Sequence, residues 1–506
     1  MGHSDKSIVW PWALVKLNPG LKALIFTIMH NQPKSLWSDF QYKPHQVIGV
    51  NWMLGREAEG TGGLLCDDMG LGKTIQMAGL IKNGHKKIGD STLLIAPVAV
   101  LEQWKAVLKR AEMHVYVPKS NFSWHKEHST KNLLAPHVYV IGYEAALRKT
   151  ILVKAYTWAR VVYDEAHRLA SNNTSTKLAQ LLKTKHIWLL TGTPIVNKVK
   201  DLITLLEIAG IDVPKTSDLD TLTPVLKKYV MARSMEQLRK SIPDAPPRPE
   251  YKTLTMDFNT EDEREFYKGM TGIICRRWKA LDADGGGQGQ ALERLKLFMR
   301  LRQLSLHPQV YIAARKTALK GLYTRSDWEG SSTKFDMLKK LVCEATESHK
   351  WIIFCHFHHE MDMLQDMFRT DSAVDLVQQY HGGLSATEKQ DVLDRTQLPL
   401  MEGKQEVLLV QLQSGGTGLN LQHFDQIIFT GPWWTKALMD QAVGRAVRIG
   451  QKKIVSVYSL CLKEEEALNI DTYMFQRAIA KGDLCRKVLE SANTTVCVPV
   501  KNDQSE

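Results

Sequence analysis

The sequence predicts an α/β protein of two tandem lobes, each built on a parallel sheet and joined by a helical protrusion or linker region. Three observations predict it. The chain has 506 residues, about three domains at ~150 residues each. Short apolar runs alternate with amphipathic stretches in two separate regions, the pattern of parallel α/β sheets. Between those regions lies a charged stretch of helical pattern with two breaks, IPDAPPRPE (242–250) and DADGGGQGQ (282–290).

Taken in order, residues 1–35 form an N-terminal extension with few readable signals. The first lobe spans 36–215, with buried strands expected at GGLLC (62–66), TLLIAP (92–97), HVYVIGY (137–143), ARVVYDEAH (159–167) and HIWLLTGTP (186–194). The helical protrusion and linker occupy 216–331. The second lobe spans 332–490, with strands expected at KWIIFC (350–355), EVLLVQ (406–411), QIIFTGP (426–432) and IVSVYSL (454–460), and a tail covers 491–506. Each run ends in Gly, Pro or polar residues, where parallel-sheet proteins place their ligand loops.

Composition narrows the function class. A chain with 44% hydrophobic and 24% charged residues is a globular protein, not a disordered chain or a disulfide scaffold. Lys and Arg number 66 against 54 Asp and Glu, a surplus of +12. That surplus suits a polyanion, either nucleic acid or an anionic membrane surface, and does not choose between them. Seven cysteines are scattered, with no C-x-x-C pair, so a cysteine-built zinc module is not expected and a reducing compartment is. The N-terminus lacks a signal-peptide pattern and no apolar run is long enough to span a bilayer. The expectation is a soluble intracellular protein.

Three motifs carry chemistry. GGLLCDDMGLGKTIQMAGLI (62–81) reads as strand, Gly-containing turn and helix. Backbone N–H groups freed by Gly70 and Gly72 wrap a phosphate chain, Lys73 reaches its outer phosphates, and the Thr74 hydroxyl serves magnesium. The strict phosphate-loop pattern wants a glycine at Asp67. VVYDEAHRL (161–169) sets Asp164 and Glu165 at the carboxyl end of a buried strand, where one acid holds magnesium and the other directs water; a solvated acidic turn is the alternative. QAVGRAVRIGQ (441–451) places Arg445 and Arg448 three apart on an expected helix. They serve as arginine fingers only if their lobe closes on the nucleotide; otherwise they form a solvated basic face. CHFHHE (355–360) offers Cys355, His356, His358 and His359, but follows directly on a buried strand, so a metal site is not expected there.

The ordered set of motifs resembles the Swi/Snf family of helicase-like ATPases in superfamily two. The segments that carry the resemblance are YKPHQVIGVNW (42–52), DDMGLGKT (67–74), LLIAPVAVLEQW (93–104), VIGYEAAL (140–147), DEAH (164–167) and LTGTPIVN (190–197). LRQLSLHP (301–308), WIIFCHF (351–357), QSGGTGLNL (413–421) and QAVGRAVRIGQ (441–451) continue it. It covers nearly everything from residue 40 to 460 and accounts for Asp67, because the family usually carries an acid there. The resemblance implies two RecA-like lobes that bind ATP and Mg2+ between them. It implies that Gln46 recognises adenine, that Asp67, Gly70, Gly72, Lys73 and Thr74 form the phosphate loop, and that Thr74 and Asp164 hold magnesium. Glu165 would activate water, with Gln441, Arg445 and Arg448 completing the site. Thr191 and Thr193 would couple nucleotide state to lobe closure, and Gly415, Gly416 and Gly418 would touch DNA and nucleotide.

Several positions depart from that pattern. His45 replaces the usual Tyr before Gln46, Gln413 and Ser414 replace a basic residue and Ala, Gly444 replaces an acid, and Trp433–Trp434–Thr435–Lys436 replaces a Trp-Asn-Pro run. These bear on rate and DNA coupling. The implied partner is double-stranded DNA held by its backbone, with transcription or chromatin proteins beside it and no membrane. The chain is expected to be a monomer. Compact length without appended reader modules is similar to viral transactivators of the family, implying transcription regulation in a host nucleus. A strand-separating DNA or RNA helicase and a non-catalytic transcriptional scaffold are the rivals.

Overall fold

In the computed structural model, the residues described are 32–492 apart from 85–89, 171–173, 183, 185, 217, 240–241, 243, 284–287, 321 and 413–418. The chain divides into two compact units, Met1–Pro243 with Lys487–Glu506, and Asp244–Arg486.

The first unit holds β1 (Gly63–Leu65), β2 (Ser91–Ala96), β3 (His114–Pro118), β4 (Trp124–His128), β5 (His137–Gly142), β6 (Arg160–Asp164), β7 (His186–Leu190) and β8 (Val230–Met231). They form one sheet in the order β4-β3-β5-β2-β6-β7-β1-β8. All pairings are parallel except the β3–β4 hairpin at one edge. The five strands expected from apolar runs are all present. Leu65, Leu94, Val162, Trp188 and Leu190 are fully buried against Met77 and Leu80 of the Lys73–Asn83 helix and Trp104 and Leu108 of the Val98–Arg110 helix. A buried ion pair braces this core. Glu57 accepts a two-pronged contact from Arg160 and a 3.0 Å bond from the Trp188 indole, so its charge is fully matched.

The second unit holds β9 (Glu250–Met256), β10 (Lys350–Cys355), β11 (Val374–Tyr380), β12 (Gln405–Gln411), β13 (Gln426–Phe429) and β14 (Ser456–Leu462). Their order is β11-β12-β10-β13-β14-β9, parallel throughout. Helices Glu261–Ala283, Gln288–Leu306 and Pro308–Ala318 carry their own apolar cluster, including Phe266, Leu297 and Leu301. Leu462, Ile470 and Met474 join it, which fixes these helices to the second sheet.

The middle of the chain therefore contributes strands as well as helices, β8 to the first sheet and β9 to the second. Neither shows as an apolar run. β8 is only two residues long, and β9 lies at a sheet edge with Tyr251 exposed, so its pattern is polar.

Candidate active site

Strand order creates the site. β6, β7 and β1 are neighbours, and Asp164, Leu190 and Leu65 stand in one row across them. The three segments that leave this row at its carboxyl end are the phosphate loop, the DEAH turn and LTGTP. They are distant in sequence and adjacent in space, as parallel sheets require of ligand loops.

The phosphate loop turns through Gly70 (φ 85°) and Gly72 (φ 80°), both left-handed, before the Lys73–Asn83 helix begins. Gly72 is needed twice. Its φ disfavours any side chain, and a Cβ there would stand 2.5 Å from Gln46 Nε2. Gln46 is buried over that turn, where its amide approaches the Leu71 carbonyl at 3.4 Å. Lys73 Nζ donates to the Asp67 carbonyl at 2.6 Å, and a Cβ on Gly192 of LTGTP would lie 3.8 Å from that nitrogen. Thr74 follows on the first helical turn.

Asp67 has a different role from its neighbours. Its carboxylate is completely buried and bonded to Arg233 (Nε to Oδ1 2.9 Å, Nη2 to Oδ2 2.5 Å) and Gln76 (2.9 Å). Burial raises the Asp67 carboxyl, but Arg233 and Gln76 outweigh it and hold the group below the ordinary carboxylate value. Arg233 also donates to the His45 carbonyl at 2.6 Å, while Met231 and Met235 bind Cys66 and Asp68. Asp67 thus fastens the phosphate loop to β8 and the segment after it. Its side chain faces this bond network. Arg233 gives no signal in the sequence beyond being a cation directly after a buried strand.

Asp164 ends β6 with both oxygens engaged. Oδ1 accepts the Glu165 N–H at 2.9 Å and Oδ2 accepts the Trp104 indole N–H at 2.7 Å. Burial first, and then the Glu165 charge, push its carboxyl up to about 6, against the Trp104 bond and the Lys73 charge. Glu165 adopts φ 50°, ψ 49°, uncommon for a side chain of its type. That places the turn among the strained segments often found where chemistry occurs. His167 connects the turn to the third segment, with Nδ1 3.2 Å from Thr191 Oγ1 and 3.4 Å from Glu165 Oε2. Burial holds its imidazole below the ordinary value. The Thr193 N–H donates to Thr191 Oγ1 at 3.1 Å. The first unit thus gathers Gln46, Lys73, Thr74, Asp164, Glu165, Thr191 and Thr193 on one edge.

The second unit holds the remaining residues. Gln441 is buried on the Lys436–Val443 helix. The helix expected through Arg445 and Arg448 ends earlier, at Val443. Gly444 caps it, the Arg445 carbonyl accepts the Leu421 N–H at 3.0 Å, and Arg448 Nε returns to the Gly444 carbonyl at 2.8 Å. Burial first, and then Arg445, lower the Arg448 guanidinium to about 10. The two arginines therefore lie close together through a turn, not along a helix face. Gly415, Gly416 and Gly418 lie outside the described residues. At CHFHHE, Cys355 is enclosed in β10 and His356 bonds Arg302 (2.7 Å) and the Gly431 carbonyl (3.1 Å). Arg302 lies 4.5 Å over Trp433, the first residue of the Trp433–Lys436 stretch. Among the described residues no cluster of His, Cys, Asp and Glu is arranged to hold a metal ion.

Residues 45–310 match the SNF2-related domain, and residues 333–450 match the helicase conserved C-terminal domain. The chain belongs to the SNF2-related family. It is 27% identical over 83% of its length to Chromodomain-helicase-DNA-binding protein 3 homolog of Caenorhabditis elegans, covering 25% of that protein. It is 25% identical over 91% of its length to the Arabidopsis thaliana ISWI chromatin-remodeling complex ATPase CHR11, covering 44%. The chain thus spans less than half the length of these relatives. Against the probable global transactivator of Orgyia pseudotsugata multicapsid polyhedrosis virus, identity is 27%, with 88% of this chain and 91% of that protein covered. Among solved structures, the Sulfolobus solfataricus SWI2/SNF2 ATPase core in complex with dsDNA is 22% identical and covers 91% of this SNF2-related chain and 99% of its own, with a TM-score of 0.40.

Proposed function

We propose that this chain is an ATP-driven translocase on double-stranded DNA that remodels protein–DNA complexes in transcription regulation, in the nucleus and as a monomer. The observation that carries the reading is the meeting of Lys73, the Asp164–Glu165 pair and Thr191 at the carboxyl ends of β1, β6 and β7. In this reading Gln46 orients adenine, the loop through Gly70 and Gly72 cradles the phosphates, and Lys73 leaves the Asp67 carbonyl for the outer phosphates. Glu165 orients the attacking water. Thr191, joined to the DEAH turn through His167, relays the state of the nucleotide with Thr193. Gln441, Arg445 and Arg448 act on the same nucleotide from the second unit, steadying negative charge as the phosphoryl group leaves.

The residues present fit magnesium. Asp164 is a half-buried acid beside a second carboxylate, with its carboxyl driven upward, and a hard cation with oxygen ligands suits that imbalance. Thr74 and Asp164 would hold the ion, which supplies charge neutralisation at the phosphates.

Charge distribution supports a backbone-bound polyanion. The first unit carries 34 Lys and Arg against 22 Asp and Glu, and the second 32 against 32, so the whole surplus belongs to the first. DNA affinity set by phosphate contacts falls steeply with salt.

The test is ATP hydrolysis with duplex DNA, single-stranded DNA or RNA across a salt series. Duplex DNA is expected to stimulate best, with loss in Lys73→Ala and Glu165→Gln. A folded wild-type protein without turnover on any nucleic acid overturns the reading.

A further inference from the structure

The first unit carries a second surface that the ATPase reading does not use. It lies at the β4 edge, the far end of the sheet from β1 and β8. Between residues 113 and 159 six Lys and Arg stand against two carboxylates. Both carboxylates are engaged, Glu127 by Lys105 and Lys109 and Glu144 by Arg168 at 3.5 Å. Lys119, Lys126 and Lys154 are exposed and have no acidic partner among the described residues.

Apolar groups lie among these cations. Ile151 is 80% exposed, Phe122 55% and Tyr156 44%. They belong to one continuous patch. Lys149 Nζ bonds the Lys119 carbonyl at 2.7 Å and lies 4.6 Å over Phe122, which joins the hairpin to the helix carrying Ile151 and Lys154. An aromatic floor continues it. Tyr116 stacks on Tyr139 at 4.4 Å, Trp124 meets Tyr139 edge-on at 5.0 Å, and Tyr156 stacks on Trp158 at 5.4 Å. Lys126 lies over Tyr116.

We infer that this face binds an acidic polypeptide segment carrying apolar anchors, laid along the free edge of β4. Three features select that partner. Unmatched cations demand negative charge. Large apolar groups held in water mark a contact with protein; a phosphate backbone gains nothing from an exposed Ile151. β4 has a neighbour on one side only, so its other edge offers backbone donors and acceptors to an added strand. Lys126 on that edge turns away a basic strand and favours an acidic one. The inference stands apart from nucleotide hydrolysis.

The test uses the full chain and a fluorescein-labelled peptide of alternating Glu and Leu, read by anisotropy. A peptide of alternating Lys and Leu, duplex DNA and anionic lipid vesicles serve as comparisons. The acidic peptide is expected to bind and the basic one to fail. Lys126→Glu with Lys154→Glu weakens binding at least about tenfold, and Ile151→Ser weakens it about threefold through lost apolar contact. Both variants keep the thermal melt and the ATP turnover of the parent. Absence of binding by folded wild type overturns the inference. So does displacement of the peptide by duplex DNA, capture of the wild type but not the variants by vesicles, or self-association that Ile151→Ser abolishes.

Discussion

Replacing Trp104 by Phe tests how the site is held. The Trp104 indole is enclosed in the core and donates to Asp164 Oδ2 at 2.7 Å. Phenylalanine keeps most of the packing and removes this donor. A hydrogen bond to a charged acceptor contributes roughly 1.5–3 kcal/mol, and the lost ring area adds about 1 kcal/mol. Unfolding stability is therefore expected to fall by about 2.5–4 kcal/mol. The functional consequence is more specific. Freed of its donor, the Asp164 carboxylate is no longer aimed, and removing a bond that orients a metal ligand typically weakens metal affinity or activity about 10- to 100-fold. The magnesium concentration for half-maximal turnover should rise by that order, as should the magnesium dependence of ADP binding measured by calorimetry. Trp188→Phe is the control. Trp188 is equally buried in the same core, but its indole bonds Glu57 at 3.0 Å. It should lose comparable stability and leave the magnesium requirement unchanged. Equal magnesium shifts in both variants, or none in Trp104→Phe, would refute the positioning argument.

Two further outcomes follow from buried charges. Arg233→Met strands the Asp67 carboxylate in the core and should lower stability by about 3–5 kcal/mol; adding Asp67→Asn should recover part of it, read as urea midpoints. Burial pushes His45 and His307 down to about 4. Each is held neutral: His45 Nε2 faces the Leu71 carbonyl at 2.9 Å, its Nδ1 has no partner among the described residues, and His307 Nδ1 accepts the Gln309 N–H at 3.0 Å. The unfolded chain takes up these protons near pH 6.5 and the folded chain only near 4, so stability is present above 6.5 and falls as pH drops. At pH 5.5 each histidine should remove about 1.4 kcal/mol. His45→Gln and His307→Asn should each flatten the dependence of urea midpoint on pH, and unchanged slopes would contradict the buried neutral state.

What the sequence made legible follows from the range of each interaction. β1, β2, β5, β6 and β7 are read because strands covered on both faces are continuous apolar runs. β3, β4, β8, β9 and β11 escape because they are short or half-exposed, and His114, Trp124 and Tyr251 do not look like a core. In the same way Gly72, Lys73 and Asp164 are recognisable from local spacing. Their supports are not: Asp67 meets Arg233 from 166 residues away and Asp164 meets Trp104 from 60. No periodicity links such pairs. The buried acid in the phosphate loop was itself the clue, because a carboxylate enclosed in a core needs a cation, though nothing local names which one. The helix expected at 441–451 failed for a related reason. Arg445 and Arg448 have helical spacing, but Gly444 and the distant Leu421 N–H, which donates to the Arg445 carbonyl, decide the backbone.

The charge of the chain acquires meaning only once it is divided. A surplus of +12 spread evenly would give both units a claim on a polyanion, but the second unit is balanced and the first carries all of it. Within the first unit, residues 101–159, which carry β3, β4 and β5, hold 9 Lys and Arg against 4 Asp and Glu, and residues 160–200, which carry β6 and β7 beside the phosphate loop, hold 7 against 2, so the surplus is shared between the two sides of the sheet. The lysines of the β4 face are argued above to serve an acidic peptide, so the salt dependence of DNA affinity is expected to survive their reversal. If Lys126→Glu with Lys154→Glu leaves the slope of DNA affinity against salt untouched, those lysines are reserved for a different anion, as the exposed Ile151 and Phe122 beside them already argue.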